Sequence, residues 1–292
     1  MKKVLILGAT GMLGNALYRE LKDNYSLVLA VRNPAKIDLL EKAHGGTENH
    51  RSVEFDATKV YEDYLNKKGH PGEYYSAFLS HIGPVDYVIN AAGVTIPFSL
   101  KDPAMTLFIN GALPHILSRT FGEKLIHVTT DCAFSGAEGY PYHENSPKTP
   151  VDLYGKSKSL GEPEASLTLR TSIIGRELDG KTGLLEWFLQ QEGKEITGFS
   201  NHFWNGLTTK EFAKVCNQII QHPERYPRTG LYHIFSNPVS KLEMLNAFKE
   251  KFGVNCTIKD NPGPKLNRTL ATVKEMNSLL GILSFKEMVS EL

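Results

Sequence analysis

The stretch Lys2-Lys3-Val4-Leu5-Ile6-Leu7-Gly8-Ala9-Thr10-Gly11-Met12-Leu13-Gly14 decides the fold. Val4–Leu7 is an apolar run without polar alternation, the pattern of a strand buried on both faces of a parallel sheet. Glycines at 8, 11 and 14 follow, and then Asn15-Ala16-Leu17-Tyr18-Arg19-Glu20-Leu21, whose apolar spacing is helical. Strand, glycine-rich turn and helix together form the context in which such a motif binds a dinucleotide. The glycines let the backbone approach a pyrophosphate, and the helix N-terminus offers amides and the positive end of its dipole. Gly8, Thr10, Gly11, Met12, Leu13 and Gly14 are the expected cradle.

Working outward, Ser26–Val31 reads as the second strand and ends just before Arg32. An acid at this position takes the ribose hydroxyls of NAD, whereas an arginine accommodates the 2′-phosphate of NADP. Arg32 therefore predicts NADP(H) in preference to NAD(H). Val53–Asp56 reads as the third strand, placing Asp56 and Ala57 at the adenine edge. Val85–Ile89, the fourth, runs into Asn90-Ala91-Ala92-Gly93, where small residues let the sheet edge approach the cofactor. A helix over about Pro103–Phe121 holds Asn110, read as structural. Leu125–Val128 is the fifth strand and delivers Thr129, Thr130, Asp131 and Cys132 to the same carboxyl edge, where open α/β sheets bind ligands.

Gly136–Pro150, rich in Gly, Pro, Tyr and Asn, reads as a long loop, and Leu167–Thr171 as a sixth strand. Beyond it the alternation loosens. Helices are expected over Gly183–Gln191, Lys210–Gln221, Lys241–Phe252 and around Val273–Leu280, a strand at Leu231–Ile234, and an aromatic, polar loop over Thr197–Gly206. The expected architecture is α/β: a Rossmann-type doubly wound parallel sheet over residues 1–165, and a smaller C-terminal α/β substrate lobe over 166–292 sharing its core.

Tyr154 and Lys158 lie four residues apart, on one face if the segment is helical. An ammonium beside a phenol stabilises the phenolate, so the pair can pass a proton to or from a carbinol oxygen near neutral pH. The Thr130 hydroxyl can hold that oxygen by a hydrogen bond. A YxxxK pair alone is commonly a surface pair; the N-terminal glycine motif is what gives this one chemical meaning.

The bulk composition excludes several classes. With 41% hydrophobic and 22% charged residues and a net charge of +1, nothing points to nucleic acid or to an anionic membrane surface. No run approaches a membrane span, and residues 1–30 lack the apolar core of a signal peptide. Cys132, Cys216 and Cys256 show neither metal-type spacing nor a paired framework, which suits a cytoplasmic protein and gives no metal site. For the oligomeric state, a homodimer is the default expectation.

With these residues in hand, the chain resembles the extended short-chain dehydrogenase/reductases over essentially its whole length. Within them it is most similar to the dTDP-4-dehydrorhamnose reductases and related nucleotide-sugar reductases. The likeness rests on the glycine motif, Asn90–Gly93, Thr129-Thr130-Asp131-Cys132-Ala133-Phe134-Ser135-Gly136, Tyr154-Gly155-Lys156-Ser157-Lys158-Ser159-Leu160-Gly161-Glu162 and Leu169-Arg170-Thr171-Ser172. The resemblance implies NADPH-dependent reduction of a 4-keto nucleoside-diphosphate sugar in deoxysugar or polysaccharide biosynthesis. Thr130 would hold the substrate oxygen, Tyr154 would be the general acid, and Lys158 would bind the nicotinamide ribose and lower the phenol's pKa. The related 4,6-dehydratases follow the Thr-Asp pair with Glu, and the 4-dehydrorhamnose reductase with Tyr. Cys132 departs from both, and a thiol is a poor acid/base at neutral pH. Asp131, Cys132, Trp204, Asn205 and Arg268 are the expected substrate contacts, Arg268 toward the diphosphate. The rivals are a nucleotide-sugar epimerase of the same superfamily and a non-catalytic NADP-binding regulatory subunit. The presence of Thr130, Tyr154 and Lys158 together favours catalysis.

Overall fold

The computed structural model describes residues 1–46, 50–67 and 72–292. Six parallel strands, β1 (Lys3–Leu7), β2 (Ser26–Val31), β3 (His50–Glu54), β4 (Tyr87–Asn90), β5 (Leu125–Thr130) and β6 (Leu167–Thr171), lie in the order 3-2-1-4-5-6. Strand Gly230–His233 adds a seventh, parallel to β6. This is the doubly wound Rossmann arrangement, whose chain reverses direction across the sheet between β1 and β4. Strands β4, β5 and β6 are buried at every position, and β1 at all but its first, as strands covered by helices on both faces must be. The edge strand β3 is the exception. None of its residues is buried, so it carries no apolar run, and it starts three residues before the expected Val53 and ends at Glu54.

Two apolar cores cover the two faces. Leu5, Leu7, Val28 and Val88 pack with Phe78, Leu113 and Leu117 on one side. Val4, Ile6, Leu29 and Ile126 pack on the other with α1 (Met12–Leu21) and with Phe212, Ile219 and Phe248 of the later helices Thr209–Gln221 and Lys241–Phe252. The later segments thus close one face of the sheet.

The expected loop at Thr197–Gly206 is instead two strands. Glu195–Phe199 pairs in parallel with Thr257–Asn261, and His202–Trp204 pairs with Val239–Ser240 and Leu266–Asn267. Ser200 and Asn201 turn the chain between them, and the turn residues mask short strands on either side. Of the expected helix at Val273–Leu280, only Met276–Leu279 is helical, followed by Phe285–Ser290 under a Ser284/Glu287 capping box. The helix over Pro103–Phe121 is continuous but widens to π geometry at Phe108–Ala112. That bulge lets the buried Asn110 amide clasp the Val94 backbone at both ends and reach the Ser157 hydroxyl, rather than face the cleft.

Candidate active site

A cleft of about 480 Å³ opens over the carboxyl ends of β1, β4, β5 and β6, at the switch point of the sheet. Its wall on the β1 side is Thr10–Leu13. Gly8 has φ +80°, and a Cβ there would lie 3.1 Å from the Ala92 backbone; a Cβ on Gly14 would lie 2.1 Å from the Gly8 carbonyl oxygen. The N-cap of helix α1 is Gly11, which has no side chain to cap the first-turn amides. A bare, uncapped helix start facing an open cleft fits a pyrophosphate. Asn90–Gly93 form the adjoining wall. Asn90 is fixed by a contact with the buried His127 ring at 3.1 Å and accepts the Ala92 N–H.

The catalytic candidates converge opposite this wall. Thr130 ends β5, donates to Asp131 Oδ1 at 3.2 Å and accepts the Cys132 N–H at 3.2 Å. Tyr154 is the second residue of helix Leu153–Leu160, whose N-cap Asp152 accepts the Gly155 N–H at 2.7 Å. Gly155 brings this helix onto β5: a Cβ there would meet the Cys132 carbonyl oxygen at 2.2 Å. Lys158, buried one turn on, donates from Nζ to the Val128 carbonyl at 2.8 Å. Thr130, Tyr154 and Lys158 all line the one cleft.

Their charges respond to burial. Desolvation lowers the Lys158 ammonium to about 8, against the field of Glu162. Desolvation raises the Tyr154 phenol above its ordinary value, the neighbouring Cys132 and Asp131 add to this, and a hydrogen bond with Thr130 opposes it. The phenol is therefore held protonated at neutral pH, the form a proton donor requires. Lys158 is not among the groups that move it; the geometry ties the ammonium to Val128 instead.

Asp131 and Cys132 line the cleft beside Tyr154. Burial raises the Asp131 carboxyl and Arg268 works against this; burial pushes the Cys132 thiol up to about 12, so it is inert as an acid/base at neutral pH. Arg268 reaches over, with Nη1 3.7 Å from Cys132 Sγ, while its buried Nε has no hydrogen-bond partner among the described residues. Lys241 lies in the same charge cluster, subject to both Asp131 and Arg268.

Other expected site residues lie away from the cleft walls. Arg32 is exposed just past β2. Asp56 caps helix Ala57–Asn66 by accepting the Thr58 N–H, and Ala57 is the first residue of that helix. Trp204 packs edge-on against Phe285. Asn205 clasps Leu270 through both backbone groups. Conversely, sequence reading passed over Glu177, Asp179 and Thr182, on an irregular segment that lines the cleft and is tied to the turn after β2 by the exposed pair Lys36–Asp179 at 2.6 Å. No hydrophobic period marks such a segment, so no sequence signal was available.

A parallel sheet with this glycine turn, and with a Thr, a Tyr and a Lys so placed, defines an oxidoreductase of the extended short-chain dehydrogenase/reductase class. The chain belongs to the RmlD substrate binding domain family, which matches residues 1–272. It is 28% identical over 269 residues to the spore coat polysaccharide biosynthesis protein SpsK of Bacillus subtilis (strain 168), covering 88% of this chain and 82% of that one. It is 25% identical over 269 residues to methionine adenosyltransferase 2 subunit beta of Xenopus tropicalis, covering 87% and 73%. The solved dTDP-4-dehydrorhamnose reductase of Bacillus anthracis str. Ames, in complex with NADP, superposes with a TM-score of 0.70 at 18% identity, covering 100% and 98%.

Proposed function

We propose that this protein reduces the 4-keto group of a nucleoside-diphosphate sugar with NADPH, in the cytoplasm, toward a deoxysugar or a polysaccharide. The observation that carries this reading is the convergence of Thr130, Tyr154 and Lys158 on a cleft whose far wall is an uncapped, glycine-lined helix start. The similarity to a polysaccharide biosynthesis protein over most of both chains supports the substrate class.

Asn90–Gly93 would hold the nicotinamide, which when bound would supply the hydride that reduces the carbonyl. The protein's part is the proton. Thr130, turning its single hydroxyl proton from Asp131, holds the carbonyl oxygen, and the protonated Tyr154 donates to that oxygen as it gains charge. Lys158, positively charged below pH about 8, would hold the nicotinamide ribose through its ammonium. Ile96, Pro97, Val128, Ile173 and Leu178 give the cleft apolar walls that exclude water. Cys132 cannot serve as an elimination acid or base, which argues against dehydration. Arg268, with its unpartnered Nε, takes an oxygen of the diphosphate, and Asp131 and Cys132 contact the sugar. Arg32, with no ion pair among the described residues, takes the 2′-phosphate of NADPH.

The test is NADPH oxidation over a panel of nucleoside-diphosphate 4-keto sugars, wild type against Tyr154→Phe. Turnover in the wild type that falls by at least about a hundredfold in the variant supports the reading. Tight NADPH binding without turnover on any member refutes it and favours the non-catalytic NADP-binding alternative; the chain's similarity to a subunit of another enzyme, methionine adenosyltransferase 2 subunit beta, keeps that alternative in view.

A further inference from the structure

Behind Lys158 lies a buried ionic cluster that the proton transfer described above does not use. The Glu162 side chain is 3% exposed and the Arg170 side chain is fully buried. Glu162 Oε2 accepts from Arg170 Nη2 at 2.7 Å and pairs with Lys148 Nζ at 2.6 Å; Oε1 accepts from Arg170 Nε at 3.0 Å and from the Thr129 hydroxyl at 3.1 Å. Arg170 is itself held, its Nη1 donating to His233 Nε2 at 2.7 Å, while His233 Nδ1 donates to the Ala271 carbonyl at 2.8 Å. Every polar atom of the carboxylate is therefore spoken for by a fixed donor, and one donor is the residue next to Thr130.

A buried ion pair is weak evidence for stability, because desolvation offsets the attraction. This one has a site to serve. We propose that Glu162 is a positioning residue for the proton-transfer site: clamped by Arg170 and Lys148, it fixes the Thr129 hydroxyl and the β5 end that Lys158 grips, and supplies the negative charge that steadies the Lys158 ammonium. The inference rests on the reductase reading for its meaning, but not for its test. The charged and titratable groups facing Lys158 are Tyr154 on its own helix, His127 on β5 beneath it and Glu162 beyond the helix end; Arg170 and Lys148 stand behind Glu162. Of these, Glu162 is the anion whose field raises the Lys158 pKa against burial, and Arg170 and Lys148 hold that carboxyl below the usual range although burial alone would raise it. His127 is neutral: burial, with the Lys158 charge, holds it well below its ordinary value.

The experiment titrates the Lys158 amine in the cofactor-free full chain by NMR of ¹³Cε-labelled lysine, with the resonance assigned from Lys158→Arg. Wild type, Glu162→Gln and Lys148→Met are compared, with thermal unfolding as the control for folding. Removing the anion should lower the Lys158 midpoint by roughly one unit. Removing the exposed Lys148 ammonium, which offsets Glu162, should raise it by a few tenths of a unit. Where the wild type turns over substrate, the basic limb of kcat moves with the midpoint in both variants and the NADPH Kd changes less than about threefold. A midpoint unmoved in folded Glu162→Gln, or unmoved in Lys148→Met should Glu162→Gln fail to fold, overturns the proposal. A merely structural role lowers stability and leaves the midpoints where they are. Absence of wild-type turnover counts against the reductase reading alone, because the titration needs no substrate.

Discussion

Gly155→Ala is the substitution that most sharply separates the geometry of this site from its stability. An alanine in a helix interior is ordinarily favoured over glycine by about 1 kcal/mol. At Gly155 the new Cβ would sit 2.2 Å from the Cys132 carbonyl oxygen and 3.1 Å from Pro150 Cβ. The first obstacle is backbone in the turn Asp131–Ala133 just after β5, between the residues that aim Thr130 and those that aim Tyr154, and it cannot rotate away as a side chain would. Relief requires the helix and strand to part by about 1 Å, an overpacking that costs about 1–3 kcal/mol and reverses the propensity gain. A displacement of that size between a proton donor and its acceptor costs about a hundredfold in rate. The glycine-lined cradle lies on the opposite wall and should be untouched. Urea denaturation, NADPH titration by fluorescence and single-turnover reduction should therefore give a modest stability loss, an NADPH Kd within about twofold of wild type, and a rate about a hundredfold lower. A folded Gly155→Ala protein that reduces substrate within about threefold of wild type would refute the claim that this contact sets the Tyr154–Thr130 geometry.

Three further outcomes follow from named groups. Arg32→Ala should weaken NADPH binding by roughly tenfold and leave NADH binding nearly unchanged, because a bare guanidinium loses only its phosphate partner; the ratio of kcat/KM for the two cofactors measures it. Arg268→Ala should raise the substrate KM by about 10- to 100-fold, the loss expected for a charge-assisted contact, while leaving the NADPH Kd in place. His233, whose pKa is lowered by burial and by Arg170 to about 4 from 6.5, must stay neutral to accept from Arg170. The unfolded chain then binds the extra proton first, so its contribution, up to about 3 kcal/mol, is present above pH about 6.5 and is lost as pH falls toward 4. Urea midpoints at pH 7 and pH 4.5 should show a drop that His233→Gln reduces.

The parts of the fold legible in the sequence are those where burial on both faces leaves an unbroken apolar run, as in Val4–Leu7 and Leu27–Val31, or where glycine has a steric task, as at Gly8 and Gly14. Edge and lobe strands escaped because their exposure mixes polar residues into the run: His50–Glu54 began earlier than expected, and Thr257–Asn261 went unread. The capping box Ser284-Phe285-Lys286-Glu287 was present in the sequence and marks a helix that was missed. In the site, the i, i+4 rule placed Tyr154 and Lys158 on one helix face, but spacing carries no information about what else Lys158 touches, and its Val128 contact came only from the structure. Trp204 and Asn205 show the converse limit. Their residue types suit a ligand, and tertiary packing against Phe285 and Leu270 claims them instead. Glu162 and Arg170 were visible as residues of a motif; their pairing, between the loop after helix Leu153–Leu160 and β6, was not.

The central claim is tested most directly by following NADPH oxidation at 340 nm with a purified nucleoside-diphosphate 4-keto sugar, wild type beside Tyr154→Phe. The account predicts stoichiometric oxidation of NADPH with formation of the sugar alcohol by the wild type, and a rate lower by at least about a hundredfold in the variant with NADPH binding retained. NADPH that binds tightly yet is never consumed by the wild type, on any sugar of the panel, would contradict it.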